Sequence, residues 1–100
     1  MYADISTASA MRALAQNPRI KLVDVRSPKE FQSGHIAKSI NIPSETIGQI
    51  TRQVSDLHTT IFVYCKSGQR ADEAKTQLEQ MGYTQVVNIG SIYGWPLVTD

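Results

Sequence analysis

The sequence predicts an α/β domain with a mainly parallel central sheet of about five strands flanked by helices. Three observations carry that prediction. β-rich runs alternate with stretches of helical period along the whole chain. The strongest such run, "TIFVY" at 60 to 64, passes into a short glycine-containing loop and then at once into a helical pattern. The length of 100 residues suits one domain, 1–100, and buries enough surface to fold without a disulfide or a metal.

Each element has its own local reason. Residues 6 to 16 read as a helix: Ser6 can cap it, and Met11, Leu14 and Ala15 fall at i, i+3 and i+4. Asn17-Pro18 ends it. "IKLVDV", 20 to 25, is apolar enough for a buried strand. In "SPKEF", Ser27 is an N-cap, Pro28 suits the first helical position and Glu30 completes a capping box, while Gly34 stops the helix early. "SINI", 39 to 42, is the next strand, closed by Pro43. Ile47, Ile50, Val54 and Leu57 recur at helical spacing and predict a helix of about three turns. After the strand at 60 to 64, Ala71, Ala74, Leu78 and Met81 line one face of a helix that Gly82 terminates. "QVVNI", 85 to 89, is the last clear strand, and the tail "GSIYGWPLVTD" has no regular period.

Composition narrows the function. Apolar residues make up 41% and charged residues 19%, the balance of a globular protein. Ten basic against nine acidic residues give a net charge of +1, which offers no electrostatic case for nucleic acid or an anionic membrane as partner. No apolar run has the length of a membrane span, and the N-terminus lacks a basic start followed by an apolar core. The expected compartment is the cytoplasm; a mature periplasmic form, its leader removed, would read the same. One cysteine excludes an intrachain disulfide, and two separated histidines beside it are a poor basis for a metal site.

The single cysteine, Cys65, sits in "FVYCKSGQRADEA" between the strand and the helix. In a parallel sheet, function gathers where strand turns into helix. Asp24-Val25-Arg26 lies at another such strand end. The free N–H groups of a helix start favour an anion, and Lys66 and Arg70 add two cations. Each influence favours thiolate over thiol. Gly68 supplies a residue free to take positive φ, so that successive amides can wrap one atom, and Ser67 and Gln69 bring further donors. The plainer reading is a packing cysteine, which is common inside apolar strands. The polar, cationic loop after Cys65 argues against it. A thiolate cradled by amides suits either phosphate-ester attack or sulfur transfer. Only four residues separate Cys65 from Arg70. That small ring favours one large sulfur atom over a tetrahedral phosphate.

Three segments, in order, resemble the single-domain rhodanese sulfurtransferases: "LVDVRSPKEFQSGHIAKSINIP" at 22 to 43, "IFVYCKSGQRADEAKTQLEQMGY" at 61 to 83, and "VVNIGSIYGW" at 86 to 95. The resemblance covers nearly the whole chain and implies a rhodanese-like three-layer fold. It implies a thiosulfate sulfurtransferase in which Cys65 takes a sulfur from a small donor as a persulfide. The amides from Lys66 through Ser67, Gly68 and Gln69 to Arg70 would hold that sulfur. Cyanide, a cellular thiol or a protein thiol would then remove it. Arg70 would close the loop and bind an anionic donor, with Lys66 helping from the rim. Asp24 and Arg26 would brace the loop, and His35 would be structural. No cofactor or metal is implied. The alternatives are a sulfur-carrier or interaction module with a dedicated protein partner and, less well matched, a cysteine phosphatase or arsenate reductase. The sequence departs from the family in its final turn, where Ser91 stands in place of the usual second glycine.

Overall fold

A computed structural model describes residues 3–99; the domain assignment of 1–100 also takes in Met1, Tyr2 and Asp100, which lie outside the described residues. Helix α1 (Thr7–Gln16) leads to strand β1 (Lys21–Asp24), helix α2 (Pro28–Ser33), and the short strands β2 (His35–Ile36) and β3 (Ile40–Asn41). A 3-10 segment (Ser44–Arg52), β4 (Ile61–Cys65), α3 (Gln69–Gln80), β5 (Val86–Ser91) and β6 (Leu97–Val98) follow.

The central sheet has the order β3-β1-β4-β5, and every neighbouring pair is parallel. The four runs read as strands are these four strands. The further pairing lies outside the sheet: β6 runs antiparallel to β2, with His35 opposite Val98 and Ile36 opposite Leu97. Two residues are too few to show a period, which is why the tail looked irregular.

Two apolar clusters, one on each face of the sheet, make three layers. One joins Val23, Val63 and Cys65 with Ile47, Ile50, Ala71, Ala74 and Leu78, under α3 and the 3-10 segment. The other joins Leu22, Phe62, Tyr64 and Ile89 with Ala10 of α1 and Ile36. Alternation along β4 sends successive side chains to the two faces.

The local signals act as read. Ser6 accepts from the Ser9 amide at 3.1 Å. Around α2, Ser27 Oγ accepts from the Glu30 amide at 3.2 Å and Glu30 Oε1 accepts from the Ser27 amide at 3.1 Å, a complete capping box. At the end of α3 the amides of Gly82 and Tyr83 reach back to the carbonyls of Glu79 and Leu78, and Gly82 takes φ +105°. One element differs. The expected helix through Leu57 is a 3-10 segment that stops at Arg52, with non-helical backbone at Thr46. Thr46, Ile47, Gly48, Ile50 and Thr51 are weak helix formers. Ile47, Ile50 and Val54 are still buried, whereas Leu57 is exposed.

The sheet register sets the site. Asp24 lies opposite Tyr64 on β4, and Cys65 lies opposite Ser91 on β5. The carboxyl ends of β1, β4 and β5 therefore meet at one edge of the domain.

Candidate active site

Cys65 ends β4, and only three residues separate it from the first residue of α3. The turn is that short because Gly68 takes φ 99° and ψ −13°, a left-handed conformation costly for other residues. This turns the Gly68 amide back onto the cysteine, and its N–H donates to Cys65 Sγ at 2.9 Å. Cys65 itself is 0% exposed, while Lys66, Ser67 and Gln69 face solvent. The sulfur has the apolar cluster beneath α3 around it and loop backbone against it.

The loop carbonyls are tied down by β5 and the turn after it. The Cys65 carbonyl accepts from the Ile92 amide at 2.8 Å, and the Lys66 carbonyl from Ser91 Oγ at 2.7 Å. The Gly68 carbonyl accepts from Asn88 Nδ2 at 3.1 Å and starts the ladder of α3 through the Asp72 amide at 2.9 Å. C=O and N–H point in opposite directions across a trans peptide. Holding the carbonyls of residues 65 and 66 against β5 therefore aims the Lys66 and Ser67 amides away from it. Asn88 is itself fixed: it is 0% exposed, its Oδ1 accepts from the Gly90 amide at 2.8 Å, and its own amide donates to Asp4 Oδ2 at 2.8 Å.

At the end of β1, Asp24 and Arg26 form a buried pair. Arg26 Nη2 lies 2.7 Å from Asp24 Oδ2, Nε lies 3.0 Å from Oδ1, and Nη2 also donates to the Gly34 carbonyl at 2.7 Å. Burial opposes the Arg26 charge, but the hydrogen bonds and charge of Asp24 outweigh it and raise its pKa. Asn41 Nδ2 donates to the carbonyls of both Asp24 and Arg26, which fixes this strand end further.

Arg70, one residue into α3, reaches across to α2. Its Nη1 donates to Glu30 Oε1 at 2.7 Å and its Nη2 to Oε2 at 3.1 Å. Hydrogen bonding to Arg70 pulls the Glu30 carboxyl down to about 2 against the opposing effect of partial burial, and its bonds to Ser27 add to the pull. Glu30 in turn raises Arg70, and Cys65 contributes a smaller electrostatic pull in the same direction. The guanidinium that was expected to close the cysteine loop is thus held by a carboxylate on a neighbouring element.

The structure places Cys65, Lys66, Ser67 and Gly68 in one strand-to-helix turn and Asp24 and Arg26 at the adjoining strand end, while Gln69 and Arg70 open α3 and the Arg70 guanidinium is turned to Glu30. His35 is buried, stacked on Phe31 with ring centroids 3.7 Å apart, and its Nδ1 lies 2.8 Å from the Phe31 carbonyl. Three residues went unassigned in the sequence: Glu30, legible only as a helix cap; Asn88, an apparent strand residue; and Ser91, visible only as a departure from the family's glycine. The one signal available was Asn88 itself, a polar residue inside an apolar strand run.

Comparison with known proteins fits this geometry. The model of the rhodanese-like domain matches residues 7–96. The thiosulfate sulfurtransferase PspE of Escherichia coli is 39% identical over 71 residues, covering 70% of this chain and 68% of that protein. This chain belongs to the rhodanese-like family. Another rhodanese relative, the thiosulfate sulfurtransferase GlpE of Tolumonas auensis, is 31% identical over 84 residues, or 83% of this chain and 78% of that one. Among solved structures, a rhodanese with anions from E. coli superposes with a TM-score of 0.76 at 36% identity, covering 81% of this chain and 99% of that one. A rhodanese-related protein from Thermoplasma volcanium gives 0.80 at 28% identity, covering 99% and 100%. The three-layer α/β fold is the rhodanese fold, and the named relatives support a rhodanese sulfurtransferase in general.

Proposed function

We propose that this rhodanese moves a sulfane sulfur from a thiosulfate-like donor to a thiophilic acceptor through a persulfide on Cys65. The Cys65 thiolate attacks the outer sulfur of thiosulfate. A Cys65–S bond forms, the donor S–S bond breaks, and sulfite leaves with the electron pair. Cyanide or a thiolate then attacks the terminal sulfur, releasing thiocyanate or a new persulfide and restoring the thiolate. Charge and atoms balance in both steps without a redox co-reactant.

The observation that carries this reading is the Gly68 amide on Cys65 Sγ, in a loop where the carbonyls of residues 65, 66 and 68 are bonded to other groups. A buried packing cysteine needs no such donor. Lys66, Ser67, Gly68, Gln69 and Arg70 form the donor-binding loop in this reading, with Asp24 and Arg26 bracing it. The enclosure of the thiol, 0% exposed, adds a requirement in this reading: the loop opens for a donor to enter. That requirement favours, as a second reading, a protein partner that opens the loop when it delivers or removes sulfur.

Intact mass after incubation with thiosulfate tests the first step. The wild type is expected to gain one sulfur, about 32 Da, and Cys65→Ser none. No gain in the wild type overturns the thiosulfate reading; gain only with a protein persulfide as donor supports the second. Hydrolysis of a chromogenic phosphate ester that Cys65→Ser abolishes would instead favour phosphatase chemistry.

A further inference from the structure

We propose that Ser91 is a positioning residue for sulfur transfer, acting through the Lys66–Ser67 peptide. The inference rests on the sulfurtransferase reading above and names a residue that sets the geometry of the same site.

Ser91 ends β5 directly opposite Cys65 in the sheet. Its hydroxyl makes two bonds with distinct roles. Oγ accepts from the Tyr93 amide at 3.0 Å, which anchors the side chain to its own turn. With that lone pair occupied, the hydroxyl proton is directed to the Lys66 carbonyl at 2.7 Å. The carbonyls on either side have other ties. Cys65 is held by a main-chain amide that no side-chain change removes, and Gly68 is held by both Asn88 and the helix ladder. For the peptide between residues 66 and 67, by contrast, the Ser91 hydroxyl is the hydrogen-bond partner at the carbonyl among the described residues.

Orientation of that peptide matters because its other end is the Ser67 amide. With the carbonyl tied to Ser91, the N–H is aimed away from β5. It sits one residue before the Gly68 amide that already reaches the sulfur. Two successive amides on one side of a turn make an anion-binding concavity. The second donor matters most when a second sulfur, carrying the negative charge, has been added beyond Sγ. Without the hydroxyl, rotation of the 66–67 peptide exchanges that donor for a carbonyl oxygen, which repels the same charge. Ser91 lies at the partly exposed rim, so the tie is not needed to fill the core. This separates a positioning role from a packing one.

The test compares wild type, Ser91→Ala and Ser91→Thr in single-turnover sulfur uptake from thiosulfate, with thermal unfolding in parallel. Ser91→Ala is expected to lower the limiting rate about tenfold, the worth of one charge-assisted hydrogen bond. The half-saturating thiosulfate concentration should change little, because the amide acts on the transferred sulfur and not on donor approach. Ser91→Thr, which keeps the hydroxyl on a strand-favouring residue, should restore the rate. Carbonyl NMR provides a readout independent of turnover: the Lys66 carbonyl-carbon shift, which reports the hydrogen bond from Ser91, should move in Ser91→Ala and stay in place in Ser91→Thr. An unchanged uptake rate in Ser91→Ala, where the wild type does take up sulfur, overturns the inference and leaves the function standing. If the wild type takes up none, the function falls, and an unchanged Lys66 carbonyl shift in Ser91→Ala then overturns the positioning role as well.

Discussion

Arg70 and Glu30, forty residues apart, face each other as a two-pronged ion pair, with Nη1 to Oε1 at 2.7 Å and Nη2 to Oε2 at 3.1 Å. Glu30 serves two structures at once. It closes the capping box of α2 and holds the first turn of α3 beside the cysteine loop. The pair is partly exposed, 37% for the Arg70 side chain and 33% for Glu30, so screening keeps its energy modest.

The first prediction concerns pH. The folded Glu30 value, about 2, lies below the ordinary 4.5. A depressed carboxyl contributes stability that is complete above its unfolded value and is lost as pH falls through the folded one. Glu30→Gln should therefore cost about 1 kcal/mol near neutrality, where both pair and cap are weakened. The gap to wild type should narrow below pH 4.5 and close near pH 2. Urea unfolding across that range measures it, and a gap that stays constant with pH would rule out the ionised Glu30 as its source.

The second prediction concerns the donor. If Arg70 is to meet an anion, Glu30 is its competitor. Glu30→Gln releases the guanidinium and removes a negative charge near the loop. The half-saturating thiosulfate concentration should fall about threefold, an effect matching a screened ion pair. Arg70→Ala should raise it. A Glu30→Gln enzyme that needs more thiosulfate than wild type would show that Glu30 orients Arg70 for binding instead of withholding it.

This pair also shows what the sequence could carry. The capping box of α2, the stop at Gly82 and the strand character of residues 60 to 64 rest on residues within a turn of one another, and all were legible. The crossing of Cys65 with a helix start was legible for the same reason. Contacts between distant segments were not. Nothing near Glu30 announces Arg70, and nothing near Asn88 announces the Gly68 carbonyl it holds at 3.1 Å. The expected helix after Pro43 failed because periodicity reports which side chains face the core, not whether weak helix formers complete α-helical turns. Ile47 and Ile50 are buried as their spacing requires, on a 3-10 backbone.

The third prediction concerns Asp24. Its carboxylate is 0% exposed and receives the Arg26 amide at 2.9 Å as well as the guanidinium. Asp24→Ala leaves the Arg26 guanidinium buried with the Gly34 carbonyl as its remaining hydrogen-bond partner among the described residues. Breaking one side of a buried pair costs about 3–5 kcal/mol, a large share of a small domain's stability. Replacing both residues together should cost less than the sum of the two single changes, because no charge is then stranded. Chemical denaturation of the two single variants and the double variant checks this, and strict additivity would mean that the pair contributes no coupling.

The fourth prediction concerns Gly68, where fold and chemistry meet in one backbone angle. At φ 99° an added Cβ is strained, by about 1–2 kcal/mol. Gly68→Ala has two ways to respond. If the loop keeps its shape, stability falls by that amount and sulfur uptake by Cys65 persists. If the loop relaxes toward negative φ, the amide swings off Sγ, stability is largely recovered, and uptake falls at least tenfold, as expected for losing a hydrogen bond to a charged atom. The Asp72 bond and the Asn88 tie both hold the Gly68 carbonyl, so they oppose relaxation and favour the first response. Adding Asn88→Ala to Gly68→Ala should shift the balance to the second. Paired measurement of unfolding and thiosulfate uptake distinguishes the two. A Gly68→Ala protein that matched wild type in both would mean that neither the left-handed turn nor its amide matters to this loop.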